Sequence, residues 1–382
     1  MILLVVNLFQ SMAAFMANTT LPLFSTELGA SVSTVGIITS SFTVSALLVR
    51  PFAGPAFDSF SRRNMLLGSQ AIIALSMFLY GIADSIEMLI CIRLLHGIGI
   101  GCGGPLAMSL VSEYLPKAKF ASGISIYTLA QSCAQVVGPA VGLQLFATIG
   151  HHVTYFLACG SVALAMAGVF FIKEPYREKL RYEFKLDRMF AKEAVFQALA
   201  LMLLAISFSC MTSYVVLYGF ERGIQDMGIF FMVYAACLLG TRPAFGTLAD
   251  KLSTPRMLVV GVLFFGASYL TLSQADSLPM FIAAAVLGSA GFGCCAPLLQ
   301  SYALAAVSES KRGAASNTTF TGLDLGMLIG PTLGGFVTES MIAVSGTLAG
   351  AYSTMWLVMM IPAAGTMAIS VYWILSGRRK SA

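Results

Sequence analysis

Charge is what this chain has least of. Only 10% of its 382 residues are Asp, Glu, Lys or Arg, where an ordinary soluble domain carries about 25%. So few charges cannot cover the surface of a water-soluble protein of this length, and the surrounding solvent must be lipid. Cysteine pairs are missing too. The eight cysteines (Cys91, Cys102, Cys133, Cys159, Cys210, Cys237, Cys294 and Cys295) all fall within apolar runs and form no C-x-x-C. That argues against disulfides and metal ligation and leaves packing as their use. H-E-x-x-H, G-x-S-x-G and G-x-x-x-x-G-K-[ST] are absent as well, which removes the sequence grounds for an intramembrane hydrolase or a nucleotide-driven pump. No cofactor and no metal are expected.

What is present is apolar sequence: 58% hydrophobic residues and a mean hydropathy of +0.85. The runs are close to the 20 residues that an α-helix needs to cross a bilayer, and too long and too rarely alternating for barrel strands. Twelve spans are predicted, roughly 2–24, 33–54, 65–83, 87–112, 121–148, 153–172, 194–218, 227–248, 256–274, 279–306, 314–338 and 351–375. The fold class is therefore an all-α integral membrane protein. The first run has no basic n-region and no small-residue cleavage site, so it reads as a retained helix.

The chain also matches itself at a constant offset of 192 residues. Arg50-Pro51, Gly54 and Asp58 recur as Arg242-Pro243, Gly246 and Asp250. Gly99, Gly101 and Pro105 recur as Gly291, Gly293 and Pro297, and Gly138-Pro139 with Gly142 as Gly330-Pro331 with Gly334. Glycine alone is a cheap coincidence in apolar helices; two spaced motifs in one register without net insertion are not. The repeat divides the chain into a six-helix bundle over 1–172, a linker over 173–193 and a second six-helix bundle over 194–382. It also suggests a site between repeats and alternating access.

Charge sets the orientation. Loops on one side hold 18 of the 22 Lys and Arg, seven of them from Lys173 to Lys192, while the other side holds Arg222 alone. The positive-inside rule then places both termini and the linker in the cytoplasm, in a cell membrane. The net charge of +5 reflects this topology, and no nucleic-acid partner is expected.

Three stretches carry a resemblance. The segment between the second and third spans reads Gly54-Pro55-Ala56-Phe57-Asp58-Ser59-Phe60-Ser61-Arg62-Arg63. The fourth span carries Arg93-Leu94-Leu95-His96-Gly97-Ile98-Gly99-Ile100-Gly101, and the fifth ends on Gly138-Pro139-Ala140-Val141-Gly142. Together these resemble the major facilitator superfamily, and within it the twelve-helix drug and metabolite exporters, many of them proton antiporters. The resemblance implies two pseudo-symmetric six-helix bundles and a monomer that moves a small organic molecule across the bilayer. It implies a cavity lined by the first, fourth, seventh and tenth spans. It also implies a conformational gate at Gly54, Asp58, Arg62, Arg63, Gly246 and Asp250, whose first-half copy latches the cytoplasmic side of the outward-facing form. Here Ser59 stands for a usual basic residue and Ser61 for a usual glycine. Gly138, Pro139 and Gly142, with Gly330, Pro331 and Gly334, read as a helix-packing motif, since small residues let backbones approach.

Polar residues fall on common helical faces. Asn7, Gln10 and Asn18 share an arc of the first span, Arg93 and His96 one of the fourth, and Tyr127 and Gln131 one of the fifth. Such stripes facing lipid would cost free energy, so they are expected to line a wet cavity or touch other helices. Arg93 is read as a substrate anchor, with an arginine tied to backbone carbonyls as the plainer alternative. Asp324 is the only acid deep in any span, and it and His96 are the candidates for proton coupling. The first span lacks the acid that many proton-coupled relatives carry there. The leading function is proton-coupled export of a small organic molecule. A uniporter or exchanger of an anionic metabolite is the alternative, and an intramembrane enzyme a remote one, for want of paired catalytic groups.

Overall fold

The computed structural model describes residues 2–114, 120–173, 190–249, 253–307 and 312–380. Among them every regular element is helical, as lipid requires: a helix satisfies its own backbone where no water can. In chain order the helices are α1 (Ile2–Glu27), α2 (Val32–Ser59), α3 (Arg62–Gly81), α4 (Ile86–Tyr114) and α5 (Phe120–Phe170). After a short 3-10 turn (Lys192–Ala194) come α6 (Val195–Glu221), α7 (Gly228–Ala249), α8 (Thr254–Ser273) and α9 (Leu278–Ala305). The last are α10 (Arg312–Ser345), α11 (Leu348–Val358) and α12 (Met360–Lys380).

Helix α5 is 51 residues long, roughly 76 Å if it were straight, more than twice the hydrocarbon thickness. It is not straight. Gly150 takes φ 77°, ψ 174°, a conformation that suits a residue without Cβ, and breaks the helix into the fifth and sixth crossings. At the other end, α11 and α12 together make the twelfth. Their break at Met359 is pinned by Ser207 of α6, whose hydroxyl donates to the Met359 carbonyl at 2.8 Å. Among the described residues ten helices are long and apolar enough to cross a membrane, and a shorter apolar run covers Gly228–Thr241. With α5 counted twice and the shorter run included, the described helices are consistent with twelve crossings.

One segment differs from its expected form. The predicted second span ends at residue 54, yet α2 continues through Gly54 and Asp58 to Ser59, and only Phe60 and Ser61 separate it from α3. Glycine and proline are tolerated inside membrane helices, where neighbouring groups re-satisfy the backbone. Ser61 then caps α3, its hydroxyl accepting from the Asn64 amide.

The chain divides into two compact units. The first comprises Met1–Ala30 and Ile37–Phe184; the second comprises Ser31–Gly36 and Lys185–Ala382. The first unit is organised by α1 lying along α5, the second by α6 lying along α10. Glycines permit both. A methyl group at Gly138 would come within 2.9 Å of Phe15 Cβ, and one at Gly142 within 3.0 Å of Met16 Cα. In the second unit, Cβ atoms at Gly322, Gly326 and Gly330 would overlap the carbonyls of Ala198, Met202 and Ile206, and one at Gly334 the Cys210 sulfur. Both helices advance four residues per contact, so their ridges stay in register along the whole seam. The motif repeated at the 192-residue offset thus serves the same helix pair in each unit.

Candidate functional site

Helix α1 is stitched into the first unit by its polar stripe. Asn7 Nδ2 donates to the Tyr127 carbonyl of α5 at 2.9 Å, and the Gln10 amide oxygen accepts from Gln70 of α3 at 2.6 Å. Ser161 of α5 donates to the Phe9 carbonyl at 2.8 Å. Each of these bonds replaces a polar group that would otherwise meet hydrocarbon.

At the centre lies Arg93 of α4, only 2% exposed. Its Nε donates to the Ile38 carbonyl at 3.2 Å and its Nη2 to the Thr39 carbonyl at 2.7 Å, both on α2. Nη1 donates to Asn18 Oδ1 of α1 at 3.1 Å, and the guanidinium carbon stands 4.4 Å from the centre of the Phe42 ring. Three of the five guanidinium N–H groups are thereby engaged, all by neutral acceptors. This is the geometry of the carbonyl-tied arginine, and the neighbouring Tyr80 hydroxyl interacts with the same guanidinium. The approach of α4 to α2 is close: a Cβ at Gly97 would overlap the Phe42 carbonyl, and Ser45 donates to the Leu94 carbonyl at 2.6 Å.

His96, one turn on, is fully buried. Its Nδ1 lies 3.5 Å from the Tyr80 hydroxyl, and its Nε2 has no hydrogen-bond partner among the described residues. Tyr80 packs against Tyr155 with ring centres 5.3 Å apart, and Thr20 of α1 donates to the Tyr155 hydroxyl at 3.2 Å. Arg93, His96, Tyr80, Tyr155, Thr20 and Asn18 therefore form one polar node shared by α1, α3, α4 and α5, with the carbonyls of α2 beside it. Sequence reasoning missed Tyr80, Tyr155 and Gln70. A hydroxyl or amide inside an otherwise apolar run was the available signal.

Tyr127 is buried at 8% exposure and Gln131 is exposed on the same helix. In the second unit Asp324 of α10 is buried, at 6% exposure, with Thr321 bonded to the Asn317 carbonyl at 2.9 Å one turn away. Of the gate residues, the side chains of Gly54, Asp58, Gly246 and Asp250 lie outside the described residues. Arg62 opens α3, and Arg63 donates through Nη2 to the Phe170 carbonyl at 2.6 Å and through Nε to that of Val169 at 3.3 Å. Pro139 and Pro331 sit inside α5 and α10.

At the locus 192 residues after the node, the second unit holds Ala285 for Arg93, Cys210 for Asn18, Gly288 for His96 and Leu272 for Tyr80. The repeat is faithful in its packing glycines and broken in its chemistry, so Arg93 has no counterpart at its repeat position.

Sequence comparison agrees with this architecture. The family model described as Major Facilitator Superfamily matches residues 3–254 and 224–381. Multidrug resistance protein 1 of Bacillus subtilis (strain 168) is 22% identical over 327 residues, covering 83% of each chain. Quinolone resistance protein NorA of Staphylococcus aureus (strain MRSA252) is 22% identical over 337 residues, covering 82% of this chain and 83% of its own. Among solved structures, the nucleoside transporter NupG superposes with a TM-score of 0.80 at 12% identity, over 97% of this chain and 100% of its own. A bacterial homolog of the lysosomal transporter Spinster gives 0.78 at 16% identity, over 99% and 96%. These two likenesses speak to the fold. With a family model covering nearly its whole length and multidrug-resistance transporters among its relatives, the chain belongs to the Major Facilitator Superfamily and resembles its drug and metabolite exporters.

Proposed function

We propose that this transporter exports a small organic molecule by alternating access, coupled to inward proton movement. It works in the cell membrane with both termini cytoplasmic. The export assignment rests on relatives of matching length that are named for drug resistance. The observation that carries proton coupling is Asp324, a carboxylate buried in a membrane helix at 6% exposure. An acid at such a depth is costly to keep charged, and one that meets water in only part of a transport cycle takes and gives up a proton as that cycle turns. His96 is the second candidate for that role. Gly54 and Asp58, with Gly246 and Asp250, serve as the cytoplasmic gate in this reading; Asn7, Gln10 and Asn18 lie on the first span, assigned to the cavity, and Tyr127 and Gln131 reach the cavity from the fifth.

The test is transport in proteoliposomes with an imposed pH gradient, screened over a chemically broad panel of compounds. Asp324→Asn is expected to keep substrate exchange and lose pH-driven accumulation. Undiminished accumulation with the wild-type pH dependence would make Asp324 a packing residue and turn attention to His96. A second reading, a uniporter or exchanger of a small anion, is favoured by one observation. Arg93 is a buried cation whose acceptors on α1 and α2 are all neutral. Gradient-independent uptake of an organic anion, lost in Arg93→Ala, would decide for it.

A further inference from the structure

The chain holds three histidines, and all of them belong to the first unit. His151 and His152 follow the break at Gly150, with ring centres 4.0 Å apart. His152 fixes that turn, its Nδ1 donating to the Gly81 carbonyl at the end of α3 at 2.5 Å. His151 Nδ1 stands 3.5 Å from the carboxylate of Glu27, the last residue of α1, and its ring stacks on Phe24 at 4.2 Å. Glu27 is exposed and His151 half-buried, whereas Phe24 and the groups behind it are sealed from solvent. Next comes the Tyr155 ring, 5.8 Å from Phe24, and then Tyr80, 5.3 Å from Tyr155. The Tyr80 hydroxyl in turn lies 3.5 Å from His96 Nδ1. A column thus runs from two surface histidines to the buried one. Of its members, Phe24 alone has no polar side-chain atom.

We propose that this column is a proton path: His151 and Glu27 collect protons at the outer surface, Tyr155 and Tyr80 relay them to His96, and Phe24 is the plug that keeps the relay dry. The proposal rests on the proton-coupled reading above, in which the end of α1 and the Gly150 turn face outward and His96 is a candidate carrier. An imidazole exchanges protons readily near neutral pH. Two titratable groups stand beside His151. The Glu27 carboxylate draws a proton to the pair, and the nearness of His152 opposes a second charge. Beside His96 stand Tyr80 and, one turn away on α4, Arg93. The relay leaves its hydroxyls as it found them. Tyr80 gives its proton to His96 Nδ1 and regains one on its oxygen, passed from Tyr155 through water, and Tyr155 is replenished from the surface cluster. His96 ends with both nitrogens protonated. Its Nε2 has no hydrogen-bond partner among the described residues, so the ring is not tied at both ends and can hand the proton on. Packing does not require the column. At the repeat offset Ala343 stands for His151, Val216 for Phe24 and Leu272 for Tyr80, yet the second unit forms its own glycine seam.

The test is nuclear magnetic resonance of the full-length protein, labelled with 15N at histidine, in lipid bilayers. With three histidines the spectrum is simple, and His151→Gln and His152→Gln assign it. The wild type is compared with Phe24→Ala, with Leu21→Ala, and with Phe24→Ala combined with Tyr80→Phe. Between pH 8 and pH 5 the wild type is expected to show His151 and His152 titrating and His96 unmoved. Phe24→Ala should make the His96 signal depend on pH and its ring N–H exchange with solvent about tenfold faster. Adding Tyr80→Phe should cancel most of that gain, because the hydroxyl that delivers the proton is gone. Leu21, as fully buried as Phe24 and on the same helix, is the control for a loosened core. Should alanine prevent insertion, Phe24→Val serves instead. A His96 that titrates already in the wild type, or stays silent when Phe24 is removed, would overturn the path. So would an equal gain in Leu21→Ala, or a gain that survives the loss of the Tyr80 hydroxyl. No transported compound is needed. A wild type that shows no pH-driven accumulation would sink the coupling reading and leave the path to stand on these spectra.

Discussion

Arg93 is a charged side chain held almost wholly out of solvent, at 2% exposure, in a membrane helix. A guanidinium in the membrane interior costs on the order of 2–3 kcal/mol on insertion scales, and here that cost is offset by acceptors on two other helices. The fork geometry matters because its donors diverge toward Asn18 on one side and consecutive α2 carbonyls on the other. Lysine, a point charge on a flexible stem, cannot reach both. Arg93→Lys is therefore expected to lower stability by about 2 kcal/mol, read as a reduced apparent Tm in detergent, whatever becomes of transport. An unchanged Tm would show that the bonds to α1 and α2 contribute little and would restore the substrate-anchor role as the main one. Arginine in the fourth span was legible in the sequence; its partners were not. Ile38 and Thr39 take part through backbone carbonyls, which every residue possesses, so no pattern of side chains could have singled them out.

At the scale of the elements, glycine decides which helices pair. Gly326 and Gly266 are each a glycine in an apolar helix that carries other glycines. Their surroundings differ: a Cβ at Gly326 would overlap the Met202 carbonyl, while nothing lies within 4 Å of one at Gly266. Gly326→Ala is expected to destabilise the protein by about 1–3 kcal/mol, through forced separation of α6 and α10. Gly266→Ala should be neutral or stabilising by up to ~1 kcal/mol, since it only removes backbone freedom. Thermal unfolding of the pair in one detergent checks both, and equal effects would refute the seam. The positions of the breaks are also element-scale facts. Gly150 was a loop residue in the predicted scheme and proved to be the pivot of α5. The interruption at Met359 lies three residues before Pro362, whose missing amide is a local signal for a break, while the bond that holds it comes from Ser207, 152 residues away.

At the scale of the whole molecule, the apolar composition, the spacing of the runs and the 192-residue register foretold a helical membrane protein of two halves. The asymmetry of Lys and Arg leads to a topology that can be checked directly. A membrane-impermeant amine reagent applied to right-side-out vesicles is expected to leave both Lys380 and the lysines of the 173–193 segment unmodified. The same reagent on inverted vesicles should modify both. Modification of one site from each side would break the two-bundle arrangement with cytoplasmic termini. The halves are equal in scaffold and unequal in chemistry, as Arg93 against Ala285 and His96 against Gly288 make plain. A transporter needs symmetry to offer the same pathway from two sides, and it needs asymmetry only where it holds a charge.

By itself the sequence determined solvent, element type, repeat and family, because each of these follows from local composition or from spacing along the chain. Lipid admits helices and little else, and a motif keeps its register however the helices later pack. Only the tertiary structure decided that Gln10 meets Gln70, that Arg93 grips the carbonyls of α2, and that Ser207 bonds the Met359 carbonyl 152 residues further on. Those partners lie far apart in the chain, and several of them are backbone atoms. Which polar groups meet is set by helix rotation and by the few places where glycine lets two backbones approach, and neither is written in any one helix.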